Sequence, residues 1–138
     1  MSLRFFTILQ AFVLVFFFVN DSLFADENTQ ESNDQAKIQF LLKRVEKSEG
    51  VFIRNGEEHP AGKAKDHLEH KMNMARKMFW FFGPSRKISI QEFIEKIASK
   101  SSTTGEVYKI RLKDGTTLPT GDWLKEQLKD FPQKSESP

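Results

Sequence analysis

The segment from Arg54 to His59 brings together residue types that often do chemistry: a guanidinium, an amide, two carboxylates and an imidazole. It lies between a β-prone run and the predicted start of a helix, where binding groups are often found. Arg54 and the helix N-terminus can hold an anion, or Glu58 can orient His59 as a general base. A structural interpretation also accounts for every residue type, because Asn55 and Gly56 can form a turn while the glutamates complement the helix dipole.

A second polar segment, from Ser101 to Gly105, offers four hydroxyl groups. Ser101, Ser102 and Thr104 can contribute to a site, or can satisfy backbone groups at a helix end, with Gly105 in a conformation that other residues avoid. No G-x-S-x-G motif and no glycine-rich phosphate loop occurs. We therefore expect no catalytic residue and no cofactor. The enzyme alternative is a small metal-independent hydrolase or lyase, which needs the Glu58–His59 pair in one pocket with a hydroxyl of this segment.

One arc of the second predicted helix carries possible metal ligands. At 100° per residue, His67, His70, Met74, Met78 and Phe81 fall within about 80° of one another. Imidazole and thioether groups suit Cu(I), and His70, Met74 and Met78 follow one another at intervals of four residues. Methionine is also an adaptable packing residue. We keep copper binding as an alternative, and we predict no zinc site because a third zinc ligand is lacking.

The same helix predicts a surface for a protein partner. Met74, Met78, Trp80 and Phe81 form an apolar patch if no other helix covers them. Such a patch marks a binding surface, and a second copy of the chain or an envelope protein can cover it.

Hydrophobic periodicity and turn signals predict the elements that position these groups. Helices are expected at about residues 34–48, 60–82, 90–100 and 120–131, the third of them capped by Ser89 and Glu92. Strands are expected at residues 51–53 and 107–112. The predicted fold is α+β and mostly helical, with four helices, a small two-stranded sheet and the order α-β-α-α-β-α.

The N-terminal residues predict export. Arg4 precedes an apolar run from Phe5 to Val19, and Ala25 offers a small side chain before a cleavage site. We expect a signal peptide at residues 1–25, a disordered leader at 26–35, a single α+β domain at 36–131 and a disordered tail at 132–138. The chain has no cysteine, which excludes disulfides and thiolate metal sites. The expected location is the periplasm, with secretion as the alternative, and the membrane is contacted only through the signal peptide before its cleavage.

Several runs of residues resemble a known family. These runs are FIRNGEEH (52–59), AKDHLEHK (64–71), FIEKIASKSSTTGEVYKI (93–110) and the Trp123-Leu124 pair. They are similar to the YfeK-like family of small exported bacterial proteins, whose shared domain has no assigned function. The resemblance implies export and a single, mostly helical α+β domain, and it implies no reaction.

Together these observations predict an exported small binding or structural module of the cell envelope. Recognition is expected through the Arg54–His59 segment, His67 and the Ser101–Gly105 loop, provided that the three meet in space. The net charge of +2 arises from 21 Lys and Arg and 19 Asp and Glu, with both signs interspersed along the chain. This pattern lacks the basic stripe of a nucleic-acid binder, so no nucleic-acid partner is expected.

Overall fold

The computed structural model describes residues 29–78 and 87–132. Within these residues, the described part of helix α1 covers residues 29–47. The elements that follow along the chain are β1 (Val51–Arg54), β2 (Glu57–Pro60), α2 (Ala61–Met78), α3 (Ile90–Glu92), which continues as a π-helical turn (Phe93–Ile97), β3 (Lys109–Arg111), β4 (Thr117–Pro119) and α4 (Thr120–Leu128). The α+β, mostly helical class is confirmed.

The sheet has four antiparallel strands in the order β2-β1-β3-β4, so the prediction of a two-stranded sheet is wrong. The first omitted strand is β2. Asn55 and Gly56 have φ angles of 50° and 78°, which identifies a two-residue hairpin turn and returns the chain alongside β1. The second helix was predicted to begin at Pro60, but Pro60 and the preceding His59 pair with β1 instead. A proline is tolerated there because β2 is an edge strand.

The second omitted strand is β4, which forms a hairpin with β3. Gly115 has a φ of 87°, and the Asp114 carboxylate accepts a hydrogen bond of 2.8 Å from the backbone N–H of Thr116. The chain therefore turns tightly and pairs Ile110 with Leu118. Thr120 was predicted as the cap of the last helix, and it is the first residue of that helix.

Helix boundaries differ from the sequence expectations at several ends. Residues 29–35, which we predicted to be part of a disordered leader, lie in α1. Gln35 explains part of this difference, because its side chain donates a 3.1 Å hydrogen bond to the Ile88 carbonyl and accepts one of 2.6 Å from Arg76. The capping of the third helix by Ser89 is confirmed, since its hydroxyl accepts from the Glu92 N–H at 3.1 Å. The third helix ends at Ile97 and the last one at Leu128, both earlier than predicted.

Helices α1, α2 and α4 and the π-helical turn supply the core against the inner face of the sheet. Its fully buried side chains include those of Ile38, Leu41, Val45, Phe93, Ile110 and Leu124. The predicted core stripe of α2 is confirmed over the described residues, where Leu68 and Met72 are buried and Ala61, Ala64 and Ala75 pack against the core. No helix in the described part of the chain is long and apolar enough to cross a membrane. The predicted signal peptide, Trp80 and Phe81 lie outside the described residues.

Candidate functional site

The inner face of the sheet and helix α2 border a cavity of about 330 Å³. Side chains alternate between the two faces of a strand, so Phe52 and Arg54 of β1 point to the same side. His59 of β2 pairs directly with Phe52 and shares that side. The cavity is lined by Phe52, Ile53, Arg54, His59, Lys63, Ala64, His67, Leu68, Ala98, Tyr108 and Thr120.

A chain of hydrogen bonds runs along one side of this cavity from Arg54 through His67 to Tyr108. Arg54 Nη1 lies 2.6 Å from His67 Nδ1. A guanidinium can only donate, so Nδ1 accepts and the ring proton resides on Nε2. That nitrogen lies 3.3 Å from the Tyr108 hydroxyl and donates to it. The two rings meet edge to face, with their centroids 5.9 Å apart.

His67 is a neutral imidazole in this arrangement. Burial, together with the positive charges of Arg54 and Lys71, lowers its pKa to about 4. Burial also raises the pKa of the Tyr108 phenol, although Arg54 and Ser101 act in the opposite direction. At neutral pH, Arg54 is therefore the charged member of the hydrogen-bonded chain.

Lys71 lies beside the Arg54–His67–Tyr108 hydrogen bonds and binds backbone carbonyl groups at the C-terminal end of the π-helical turn. Its Nζ donates to the carbonyl oxygens of Ile97 at 2.8 Å and Lys100 at 2.5 Å, and it lies 5.0 Å from the centre of the Tyr108 ring. Burial lowers the pKa of Lys71 to about 8, helped by the charges of Arg54 and Lys100. Lys71 thus holds the segment that carries Ala98 against the cavity.

Two buried polar atoms of cavity-lining residues have no hydrogen-bond partner in the described part of the chain. They are Nε2 of His59 and Oγ1 of Thr120. Thr120 is only 2% exposed, whereas the backbone N–H of the same residue is satisfied by the Tyr108 carbonyl at 2.8 Å. The Glu57 carboxylate lies 3.9 Å from His59 Nε2, which is too far for a hydrogen bond. Buried polar atoms are normally paired, and these two have no partner among residues 29–78 and 87–132.

The charge of the cavity is positive. Arg54 and Lys63 line it, and none of the lining residues is acidic. Over the described residues, no carboxylate forms an ion pair with Arg54 or Lys63. An anionic group is therefore the partner that the electrostatics of the cavity favour.

The structure brings three sequence-predicted segments into contact, and two of them supply residues that line the cavity. Arg54 contacts His67, and the Thr104 hydroxyl donates a 3.1 Å hydrogen bond to the Asn55 side chain. The hydroxyl of Ser101 accepts bonds of 3.3 Å from the N–H groups of residues 103 and 104, and this holds the loop in place. Gly105 ends the loop with a φ of 74°, and Ser102 is exposed on it. Neither Ser101 nor Thr104 lines the cavity.

Glu58 does not join His59. The two are consecutive residues of a strand and therefore point to opposite faces of the sheet. The Glu58 carboxylate forms a two-pronged ion pair with Arg111, at 2.7 and 2.8 Å, on the outer face. The catalytic pair that the hydrolase or lyase alternative requires is not formed.

The predicted copper ligands lie on the exposed side of α2. Met74 and Met78 are 55% and 66% exposed, and His70 is exposed as well. His67, predicted on the same arc, instead turns toward the cavity. A helix rises 1.5 Å per residue, so His70 and Met78 are separated by about 12 Å along the axis, too far for all three side chains to reach one ion. In the described residues, no group of three or more His, Asp or Glu side chains is placed to hold a metal ion.

Several residues of the site escaped the sequence analysis. From the sequence, Tyr108 was assigned to a predicted strand and Thr120 to the start of a predicted helix. Neither residue was expected in a cavity. Lys63 and Lys71 were two of many lysines on a charged helix. One signal was available for Lys71, because its four-residue distance from His67 places the two side chains on one face of the helix.

Comparisons with known proteins give a family and no activity. A model described as a family of unknown function, DUF5329, matches residues 32–132. An uncharacterized protein, YfeK, from Salmonella typhimurium (strain LT2) is 32% identical over 78 residues. This match covers 56% of the chain and 58% of that relative, so the chain spans a little more than half the length of the curated relative it matches. No solved structure matches. These findings confirm the resemblance to the YfeK-like family.

Proposed function

The chain belongs to the DUF5329 family of unknown function, and from that premise we propose that it is an exported binding module that holds a small organic ligand in the cavity between the sheet and α2. One observation carries the proposal. The lining of the cavity of about 330 Å³ includes His59 and Thr120, whose buried polar atoms have no partner among the residues that the structure describes. Its size lies at the lower end of the range for small-molecule sites.

The energetics of burial favour a ligand. Leaving a buried donor or acceptor unpaired costs about 1–3 kcal/mol. Neighbouring atoms cover His59 Nε2 and Thr120 Oγ1, so a ligand removes this cost only when those neighbours move and let it pair with them. Water can also pair with polar atoms in a cavity, but the apolar side chains of Phe52, Leu68 and Ala98 line much of this one and offer water no hydrogen bond.

Binding is favoured over catalysis by the positions of the reactive groups. The Glu58 carboxylate is engaged with Arg111 on the outer face, and the Ser101 hydroxyl is engaged with backbone N–H groups. Over the described residues, no hydroxyl is placed beside a histidine that an acid orients. The chemistry that remains is recognition through charge, hydrogen bonds and shape.

Export supports this role and rests on the N-terminal sequence. An apolar run followed by a small residue is typical of a secretory signal peptide. A small cysteine-free module in the periplasm, or secreted beyond it, can bind a ligand that reaches the cell from outside. The location and the envelope role are part of the proposal.

A fragment screen by ligand-detected NMR tests the binding function, using the mature protein and a variant with a filled cavity. Ala64→Leu places a larger side chain into the cavity from α2 without lowering helix propensity strongly. Glu58→Gln changes the opposite face of the sheet and is the matched control. We expect fragments that bind the wild type and Glu58→Gln saturably and that bind Ala64→Leu weakly. A screen without saturable binders, or with the same binders for Ala64→Leu, contradicts the proposal.

A further inference from the structure

We propose that the ligand is a small monocarboxylate with an apolar body, whose carboxylate binds Arg54 and whose body lies against the apolar side chains of the cavity. This inference rests on the proposed function and names its ligand class. It follows from the distribution of charge, donors and apolar surface around the cavity.

The first step concerns the position of the cations. Arg54 and His67 are in contact at 2.6 Å, so they mark one side of the cavity. Lys63 is four residues before His67 on α2, which places its side chain on the same helix face one turn away. Both cations of the lining therefore lie toward the same side.

The second step concerns the donors that Arg54 still offers. Its contact with His67 involves Nη1, and no other partner of its guanidinium is found within residues 29–78 and 87–132. A guanidinium presents its donors in a planar fork that matches the two oxygens of a carboxylate. Because His67 holds the guanidinium in one orientation, less side-chain entropy is lost when a carboxylate binds.

The third step distinguishes a carboxylate head group of the ligand from a phosphate head group. The Glu57 carboxylate lies 3.9 Å from Nε2 of the cavity-lining His59, and its charge repels a dianion more than a monoanion. Phosphate sites in proteins commonly use a glycine-rich loop or several backbone N–H groups at a helix N-terminus. The lining offers two cations and no such loop. A single negative charge is therefore the better match.

The fourth step concerns the body of the ligand. The side chains of Phe52, Ala64, Leu68 and Ala98 form the apolar part of the lining. A volume of 330 Å³ equals that of about eleven water molecules at roughly 30 Å³ each. A ligand of roughly ten non-hydrogen atoms fits this space, which is the size of a medium-chain fatty acid or a small aryl carboxylic acid.

Isothermal titration calorimetry with three ligands of one chain length tests the inference. The ligands are octanoate, octanamide and octyl phosphate, which share the apolar body and differ in the head group. We expect octanoate to bind wild-type protein at least tenfold more tightly than octanamide, and more tightly than octyl phosphate. Arg54→Gln should remove the advantage of octanoate over octanamide, whereas the Glu58→Gln control should retain it.

Two further variants keep the test decisive if Arg54→Gln does not fold. Lys63→Gln, at an exposed position, should reduce the preference for octanoate over octanamide. Arg54→Lys, which keeps the charge and loses the planar fork, should weaken octanoate binding more than octanamide binding.

Equal affinity for octanoate and octanamide, or tighter binding of octyl phosphate, overturns the monocarboxylate class while leaving a ligand-binding cavity. Absence of binding by all three overturns the class as well, and an empty fragment screen would then overturn the binding function itself.

Discussion

Arg54 of β1 and His67 of α2 are joined through a 2.6 Å contact between Nη1 and Nδ1. The contact ties the sheet to the helix that borders the cavity. It also affects the chemistry of both side chains, because burial and the nearby guanidinium keep the imidazole neutral and the imidazole orients the guanidinium. The predictions below start from this pair and extend to the cavity and the packing around it.

The pH dependence of stability should reveal the buried state of His67. Its pKa is lowered from 6.5 to about 4 in the folded protein. Between pH 6.5 and 4 the unfolded chain therefore binds a proton that the folded protein does not. The free energy of unfolding should decrease as pH falls through this window, and His67 should have no effect above it. Urea unfolding at a series of pH values measures this.

His67→Gln provides the comparison, because an amide can accept from Arg54 and donate to Tyr108 without titrating. Its stability should depend less on pH between 6.5 and 4 than that of the wild type. His70→Gln changes an exposed histidine of the same helix and should behave like the wild type. If His67→Gln and the wild type show the same slope, His67 is not the residue responsible.

Thr120→Val should stabilise the ligand-free protein. Valine has nearly the shape of threonine and lacks the hydroxyl that is buried without a partner. Removing such a group should increase the free energy of unfolding by about 1 kcal/mol, and a ligand that uses the hydroxyl should bind less tightly. Thr117→Val on strand β4 is the control, because Thr117 is exposed. A clear loss of stability in Thr120→Val would show that the hydroxyl is already paired.

Gly121→Ala should destabilise the protein, because the added methyl group would clash with Ser99. A Cβ at Gly121 would overlap the Ser99 hydroxyl oxygen, which donates to the Ile94 carbonyl. Overpacking of this kind typically costs about 1–3 kcal/mol. Gly62→Ala is the matched control, because a Cβ at Gly62 meets nothing within 4 Å and alanine favours the helix. Chemical denaturation of both variants measures the difference.

Ser99→Ala should partly rescue Gly121→Ala, because it removes the atom that is overlapped. A double-mutant cycle should then give a coupling energy of about 0.5–3 kcal/mol. Additive effects of the two substitutions would show that the cost at Gly121 arises elsewhere, for example from the backbone of α4.

The ion pair on the outer face should have no role at the cavity. Glu58 and Arg111 are both partly exposed, and the hydrogen bond from Arg111 lowers the pKa of Glu58. Exposed pairs contribute little to stability. Glu58→Gln should therefore unfold at nearly the same urea concentration as the wild type and bind cavity ligands with unchanged affinity. A large loss of ligand affinity would reopen a role for Glu58 beside His59.

Export should produce a chain that begins at Asp26. Expressed at full length in a Gram-negative host, the protein should be recovered outside the cytoplasm with residues 1–25 removed. Intact-mass analysis of the fractionated protein measures this. Ala25→Arg should block cleavage while leaving the apolar run unchanged, and an uncleaved wild-type chain would contradict the prediction.

The sequence by itself determined the features that depend on a few neighbouring residues. The Asn55-Gly56 turn, the Ser89 cap and the spacing of Leu68 and Met72 on α2 were predicted, and each is present. Turns, caps and helical periodicity are local, because their hydrogen bonds and contacts join residues that are close in the chain. The helical α+β class follows from their number and order.

The tertiary structure alone decided the sheet and the cavity. Strands β2 and β4 are short and contain prolines, and only pairing with β1 and β3 makes them strands. Arg54, His67 and Tyr108 meet through contacts between residues up to 41 positions apart. Such contacts depend on the packing of the whole domain, because a side chain's partner is decided by which elements lie against it. For the same reason Thr120, which has no distinctive sequence context, carries a buried hydroxyl that no other described residue satisfies.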